Sequence, residues 1–325
     1  MQPTDPRLST VDGPMLHVAS GTLMRLRLFS PVLGCALLVA CSQPPVKPAP
    51  EGTTAVIDAN RRADTYFRNG NLSNAARYYL EAIRLAQAIE DADGIAANAV
   101  NLSIVYQKMG KYAQARASLA LILEQQGKLT FPRERLAQAA LRRAVLDVDE
   151  RQFASAADWI EQAANYCSQT NCPLAAGIHN VRGQLALEAG QIDAATASAN
   201  AALSASRGTG DRAETGNALR LLGLAAMGKG DAAAALGFLE QALVIDRELA
   251  LPRKIYLDLI GLGHAKASSG ERDAARAYYE RALTVSDADR DPQGAAAART
   301  LIDGLGEKAS QSRSAPAATQ SNAGQ

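Results

Sequence analysis

Aromatic side chains make up only 5% of this 325-residue sequence, and Trp159 is its single tryptophan. Any core must therefore be built from small and medium aliphatic side chains. With alanine abundant and alternating β-branched runs scarce, the composition points to closely packed helices and away from sheets. Histidine is nearly lacking: of three residues, only His179 and His264 lie past residue 41, and neither stands in a metal or triad motif. Both read as polar-face residues of helices. Charge of either sign is also lacking in excess, since the formal net charge is +1. The first forty residues hold Arg7, Arg25 and Arg27 against Asp5 and Asp12, so the remainder is neutral. Neutrality gives no support to binding of nucleic acid or an anionic lipid surface, which calls for a basic patch. Finally, no apolar run reaches the roughly 20 residues that a membrane-spanning helix needs.

The longest apolar run is "MRLRLFSPVLGCALLVAC", in which Arg25 and Arg27 precede an apolar stretch ending at Cys41. A basic head followed by a short apolar segment and small residues is the layout of a secretory signal. Pro44 and Pro45 stop any helix that would continue it. The residues Leu38-Val39-Ala40-Cys41 resemble the bacterial lipobox. That resemblance implies acylation of Cys41, cleavage before it, and an anchor of three chains, each buried methylene contributing about 0.8 kcal/mol. Ser42 in place of Asp implies sorting to the outer membrane, facing the periplasm. Cys35 reads as a signal-peptide residue, because cleavage there would leave a very short apolar core. A complete signal begins at Met24, so residues 1–23 read as an over-extended start.

The ordered chain repeats itself. Aligning "NGNLSNAARYYLEAI", "MGKYAQARASLALIL", "ERQFASAADWIEQAA", "AGQIDAATASANAAL", "KGDAAAALGFLEQAL" and "SGERDAARAYYERAL" places turn residues at Gly70, Gly110, Arg151, Gly190, Gly230 and Gly270. Their spacings are 40, 41, 39, 40 and 40. Five residues past each turn stands an alanine: Ala75, Ala115, Ala156, Ala195, Ala235 and Ala275. Larger residues follow at helical spacing on the same face, Tyr79, Leu119, Ile160, Leu239 and Tyr279 among them. Glycine suits the left-handed residue that ends a helix, and Arg151 departs from it, so the third turn is expected to be strained or differently shaped.

This pattern resembles the tetratricopeptide repeat, including Gly183, Gly223 and Gly263 seven residues before their turns and Tyr66 and Tyr106. The usual repeat has about 34 residues, so some six extra residues lengthen the helices or the links. "NLSIVYQKMGKYAQA" is most similar to the longer repeats of kinesin light chains. The resemblance implies an all-α, right-handed solenoid of about six helical hairpins, closed by a capping helix from Gln293. The expected organisation is a signal peptide over 1–40, a lipidated proline-rich linker over 41–55, the solenoid over 56–306 and a disordered tail over 307–325.

Past Cys41 the sequence has two cysteines, Cys167 and Cys172, in "YCSQTNC". In the oxidising compartment that the lipobox implies, a bridge is expected, with two free thiols as the alternative. Zinc is not expected, since no histidine or second cysteine pair stands at ligand spacing. "GTGDRAETG" reads as an inter-repeat loop rather than a phosphate loop, and "EDADG" and "SDADRDP" as solvated helix ends. No catalytic residue, cofactor or metal is identified.

The family resemblance implies a concave groove for protein partners, lined by the first helix of each hairpin. It assigns Asn60, Asp64, Arg68, Asn101, Arg142, Asn180, Gln184, Asn217, Arg220 and His264 to that face; the alternative is a merely solvated stripe. Asn101 and Arg142 match positions of the carboxylate clamp of chaperone-binding members. Asn60 and Asp64 depart from it, and an acid there repels a carboxylate. The expected function is a non-enzymatic, outer-membrane-anchored scaffold for periplasmic or outer-membrane proteins, in an assembly such as pilus, secretion or cell-wall machinery. An envelope enzyme or solute-binding protein is the alternative.

Overall fold

The computed structural model describes residues 51–124, 129–168 and 172–314. The signal segment, its Met24 start, Cys41, most of the linker and the end of the tail lie outside the described residues. Among the described residues every regular element is an α-helix, in the order α1 (Glu51–Arg68), α2 (Leu72–Ala88), α3 (Ala92–Lys108), α4 (Tyr112–Leu123), α5 (Arg133–Asp149), α6 (Phe153–Cys167), α7 (Ala175–Glu188), α8 (Ile192–Thr209), α9 (Arg212–Gly228), α10 (Ala232–Glu248), α11 (Pro252–Ser268), α12 (Arg272–Ala288) and α13 (Pro292–Ser314). They divide along the chain into two compact units, one ending at Leu146 and the other beginning at Asp147. Consecutive helices pack against one another from α1 to α4 and from α6 to α13, and inner helices also touch the inner helix of the next hairpin, as α1 touches α3 and α7 touches α9. The all-helical hairpin fold expected from the repeats is the one observed.

The forty-residue period resolves into two halves of twenty. A helix of 17 residues and a three-residue link recur in α2, α3, α9, α10, α11 and α12. The six residues beyond the usual repeat are thus spent on longer helices, and the links stay tight. Each link is a Schellman turn: Gly70 N–H donates to Phe67 C=O at 2.9 Å and Asn71 N–H to Tyr66 C=O at 2.9 Å, and the same pair of bonds recurs at Gly110, Arg151, Gly190, Gly230 and Gly270.

The links between hairpins use the same device, at Glu90, Gly210, Ala250 and Arg290. The runs read as solvated helix ends have a second job here. Asp91 and Asp291 accept the backbone N–H of Gly94 at 2.9 Å and Gly294 at 3.0 Å, capping α3 and α13.

Arg151 takes the shape of its glycine counterparts, with φ +60°. The third turn is therefore strained rather than differently shaped, at about 1–2 kcal/mol for a side chain in the left-handed region. The alanines five residues past the turns are all fully buried, as are Tyr79, Leu119 and Leu239 one turn on. Close approach is tightest beside Gly263, where a Cβ would lie 2.2 Å from the Tyr279 ring.

Two boundaries differ from expectation. Helix α1 begins at Glu51, inside the expected linker, because the helix-stopping prolines end at Pro50 and Val56 already packs in the core. Helix α13 runs to Ser314, past the expected boundary at 306, since Asp291 caps it and "EKASQSRS" contains no breaker. At the end of α6, Cys167 and Cys172 form a disulfide with Cα atoms 5.2 Å apart.

Two substitutions test this account. Ala250→Gly relieves a φ of +53° and is expected to stabilise the protein by about 0.5–1 kcal/mol net of glycine's entropy, read as a higher melting temperature. Gly263→Ala is expected to lower stability by about 1–3 kcal/mol by overpacking against Tyr279. A melting temperature unchanged by Gly263→Ala would contradict the close approach.

Candidate functional site: the polar stripe of the inner helices

Stacking 17-residue helices through alanine and glycine brings neighbouring inner helices close enough for their polar side chains to meet. Eight of the ten stripe residues, Asn60, Asp64, Asn101, Arg142, Asn180, Gln184, Asn217 and Arg220, are buried. Arg68 is exposed at the end of α1, and His264 is half-buried with its ring edge-on to Tyr279 at 5.6 Å between centroids. The stripe expected to be solvated or groove-lining is therefore largely internal.

In the first unit, Asn60 of α1 donates to Asn98 of α3 at 2.7 Å, bridging consecutive inner helices. Asn98 in turn donates to Gly94 C=O at 2.7 Å. Asp64 accepts the hydroxyl of Tyr79 from α2, which ties the inner helix to the outer one of its own hairpin. Burial, then this hydrogen bond and the Asp64 charge, push the Tyr79 phenol far above its ordinary range, so it stays a donor.

The second unit holds the denser network. Asn180 of α7 donates to the Glu214 carboxylate at 2.7 Å and to its carbonyl at 3.0 Å. Asn217 donates to the same carboxylate at 3.0 Å and accepts from Arg220 at 3.1 Å. Arg220 then reaches two acids: its Nε donates to Asp258 of α11 at 2.7 Å, and its Nη2 to Asp246 of α10. Gly216 makes room for this, since a Cβ there would lie 3.0 Å from the Asp246 carboxylate.

Burial opposes the Arg220 charge, but Asp258 and Asp246 outweigh it and raise its pKa above the ordinary value. Burial pushes the Asp258 carboxyl up to about 7 against the pull of Arg220, with Asp246 adding to the push.

Sequence reasoning singled out Asn180, Asn217 and Arg220 but missed Asn98, Glu214, Asp246 and Asp258. Asn98 and Asp258 each lie 38 residues past their partners, so the repeat period itself was the available signal. Glu214 was hidden in "GTGDRAETG". Only Gly210 and Asp211 of that run lie between helices, and Asp211 caps α9 by accepting Glu214 N–H at 3.0 Å. Asp246 sits on an outer helix, where no stripe residue was sought.

The arrangement is one of donors, acceptors and opposed charges. Burial, helped by Arg182, lowers the His179 pKa, which favours the neutral ring. Among the described residues no group of three or more His, Cys, Asp or Glu side chains is placed to hold a metal.

Because Arg220 is hydrogen-bonded to both acids, Arg220→Leu takes that guanidinium away from two buried carboxylates. It is expected to cost about 3–5 kcal/mol in denaturant-induced unfolding. A loss below about 1 kcal/mol would show that Asp246 and Asp258 do not depend on it.

Comparison with known proteins agrees with the geometry. Residues 53–128 and 259–289 match family models described as tetratricopeptide repeat. Among solved structures, a Rap protein complexed with competence and sporulation factor is similar at 15% identity and a TM-score of 0.58, over 80% of this chain and 73% of that one. The apo form of RapI is similar at 15% identity and a TM-score of 0.53, over 79% and 72%. A signal transduction ATPase with a tetratricopeptide repeat sensor from Pyrococcus horikoshii is similar at 13% identity and 0.55, over 77% of this chain and 37% of that one. None of the curated proteins matches the sequence. Tetratricopeptide repeats generally mediate protein–protein interactions and are typically non-enzymatic, and this chain carries such repeats at residues 53–128 and 259–289.

Proposed function

We propose that this chain is a periplasm-facing lipoprotein of the outer membrane, whose helical hairpins serve as a scaffold for envelope proteins. The observation that carries the scaffold reading is the succession of packed helices from α1 to α4 and from α6 to α13, with tetratricopeptide repeats at 53–128 and 259–289. A solenoid of such hairpins offers an extended surface in place of an enclosed pocket. The Rap protein of similar fold was solved with competence and sporulation factor, so an array of this kind holds a partner there. Support for the anchor comes from the run that ends in Leu38-Val39-Ala40-Cys41 after Arg25 and Arg27. Arg68 in one unit and His264 in the other are the stripe residues left accessible, and each marks where, within its own unit, a partner would be met first.

The anchor and the scaffold are tested separately. Cys41→Ala is expected to abolish incorporation of labelled palmitate and to release the protein from the membrane fraction; unchanged labelling would refute lipidation. Photo-crosslinking side chains placed at Arg68 or His264 in cells are expected to capture a discrete envelope protein. The same side chain placed at exposed Val244, on an outer helix, is expected to capture none. Equal capture from all three positions would count against the inner face as the docking surface.

A further inference from the structure

Five charged side chains are buried where α9, α10 and α11 meet: Glu214 and Arg220 from α9, Asp246 from α10, and Lys254 and Asp258 from α11. None is more than 6% exposed. Helix α7 adds Asn180, which is neutral and bonds the Glu214 carboxylate at 2.7 Å, and Arg253 pairs with Asp291 at 2.7 Å. Lys254 sits one helical turn before Asp258. Asp246 and Asp258 share the guanidinium of Arg220, so full ionisation of both sets two buried negative charges against one positive charge, which is costly away from water.

The geometry offers a remedy. Asp246 and Asp258 converge from adjacent helices on the single guanidinium of Arg220. Each keeps one oxygen, Asp246 Oδ1 and Asp258 Oδ2, with no hydrogen-bond donor among the described residues. A proton on Asp258 Oδ2 supplies the missing donor and cancels the surplus charge. Burial, with Asp246 adding to it, makes the Asp258 carboxyl take up that proton above the usual carboxylate range.

We propose that the Asp246–Arg220–Asp258 cluster is a proton-operated clasp that holds α9, α10 and α11 together when the carboxyl pair carries a proton and loosens them when it does not. The raised position of the Asp258 carboxyl, at about 7 against 3.8 for the free side chain, agrees with this. Because the folded state holds the proton more tightly than the unfolded chain, the clasp contributes fully at pH below about 4. Its contribution falls as pH rises and is gone above about 7. The stripe residues Asn217 and Arg220 belong to the same hydrogen-bonded network, so the firmness of that stretch of the array follows pH across this window.

The test compares unfolding of the wild type with Asp258→Asn, which keeps an acceptor for Arg220 Nε and removes the titration. Other carboxylates change stability with pH in both proteins, so the readout is the ratio of the two unfolding constants. That ratio is expected to rise about tenfold per pH unit between pH 5 and 7 and to level off above. A ratio constant with pH overturns the proposal. A second measurement needs no variant: carbon-13 titration of the aspartate carboxyls in the wild type is expected to show one midpoint near neutrality. Complete ionisation of every aspartate below pH 6 overturns it equally.

Discussion

The constraint on which the rest depends is the single left-handed residue that ends a helix. In a Schellman turn that residue reverses the chain within three positions while its neighbours still satisfy the last carbonyls of the helix. Repeated at Gly70, Glu90 and Gly110 in one unit and at Gly190, Gly210, Gly230, Ala250, Gly270 and Arg290 in the other, it forces antiparallel helices of nearly one length. Equal lengths bring equivalent positions level with one another, and only then can a fixed alanine in each outer helix always meet a neighbouring helix. Glycine provides this conformation without strain at six links. Arginine, glutamate and alanine occupy it at four others because the hairpins on either side leave the chain no alternative.

Close packing follows from that levelling. With alanine at the crossing points and glycine at positions such as 223 and 263, helix axes approach until a methyl group no longer fits. The gain is dispersion and apolar burial from many small contacts rather than from a few large rings, in keeping with the scarcity of aromatics. The consequence is that polar residues on the inner helices find neighbouring helices within hydrogen-bond reach, and the stripe becomes internal.

The fold was legible because its determinants are local. Glycine at 70, 110, 190, 230 and 270 with alanine five residues later is a pattern of single positions, and it gave both the period and the buried face. The second set of links was harder to read because Glu90, Ala250 and Arg290 carry no glycine, so the division of forty into twice twenty emerged only from the backbone. The stripe was legible by position but not by partner. Arg220 announces a charge, yet nothing adjacent in sequence announces that Asp246, on the outer helix, and Asp258, in the next repeat, will meet it. Pairings of that kind depend on three helices arriving together. Burial likewise depends on how closely whole helices approach, which no single residue encodes, and Asn101 and Arg142 were accordingly expected at an accessible surface.

A polar interior carries a cost, and the reason it persists lies in the repetition itself. Alanine faces of similar hairpins fit one another in many registers, because a methyl group set one turn away packs nearly as well. Hydrogen bonds are less forgiving. Asn60 to Asn98, Asn180 to Glu214 and Arg220 to Asp258 each join successive inner helices across 34 to 38 residues. A slip of one position leaves each of these groups buried without its partner, at about 1–3 kcal/mol apiece and more where the group is charged. Three such ties outweigh the small differences between alternative alanine packings. The same side chains that look like a binding stripe when a single helix is drawn therefore select one alignment of a repetitive core, and Arg220, tied to both Asp246 and Asp258, does so for two neighbouring helices at once.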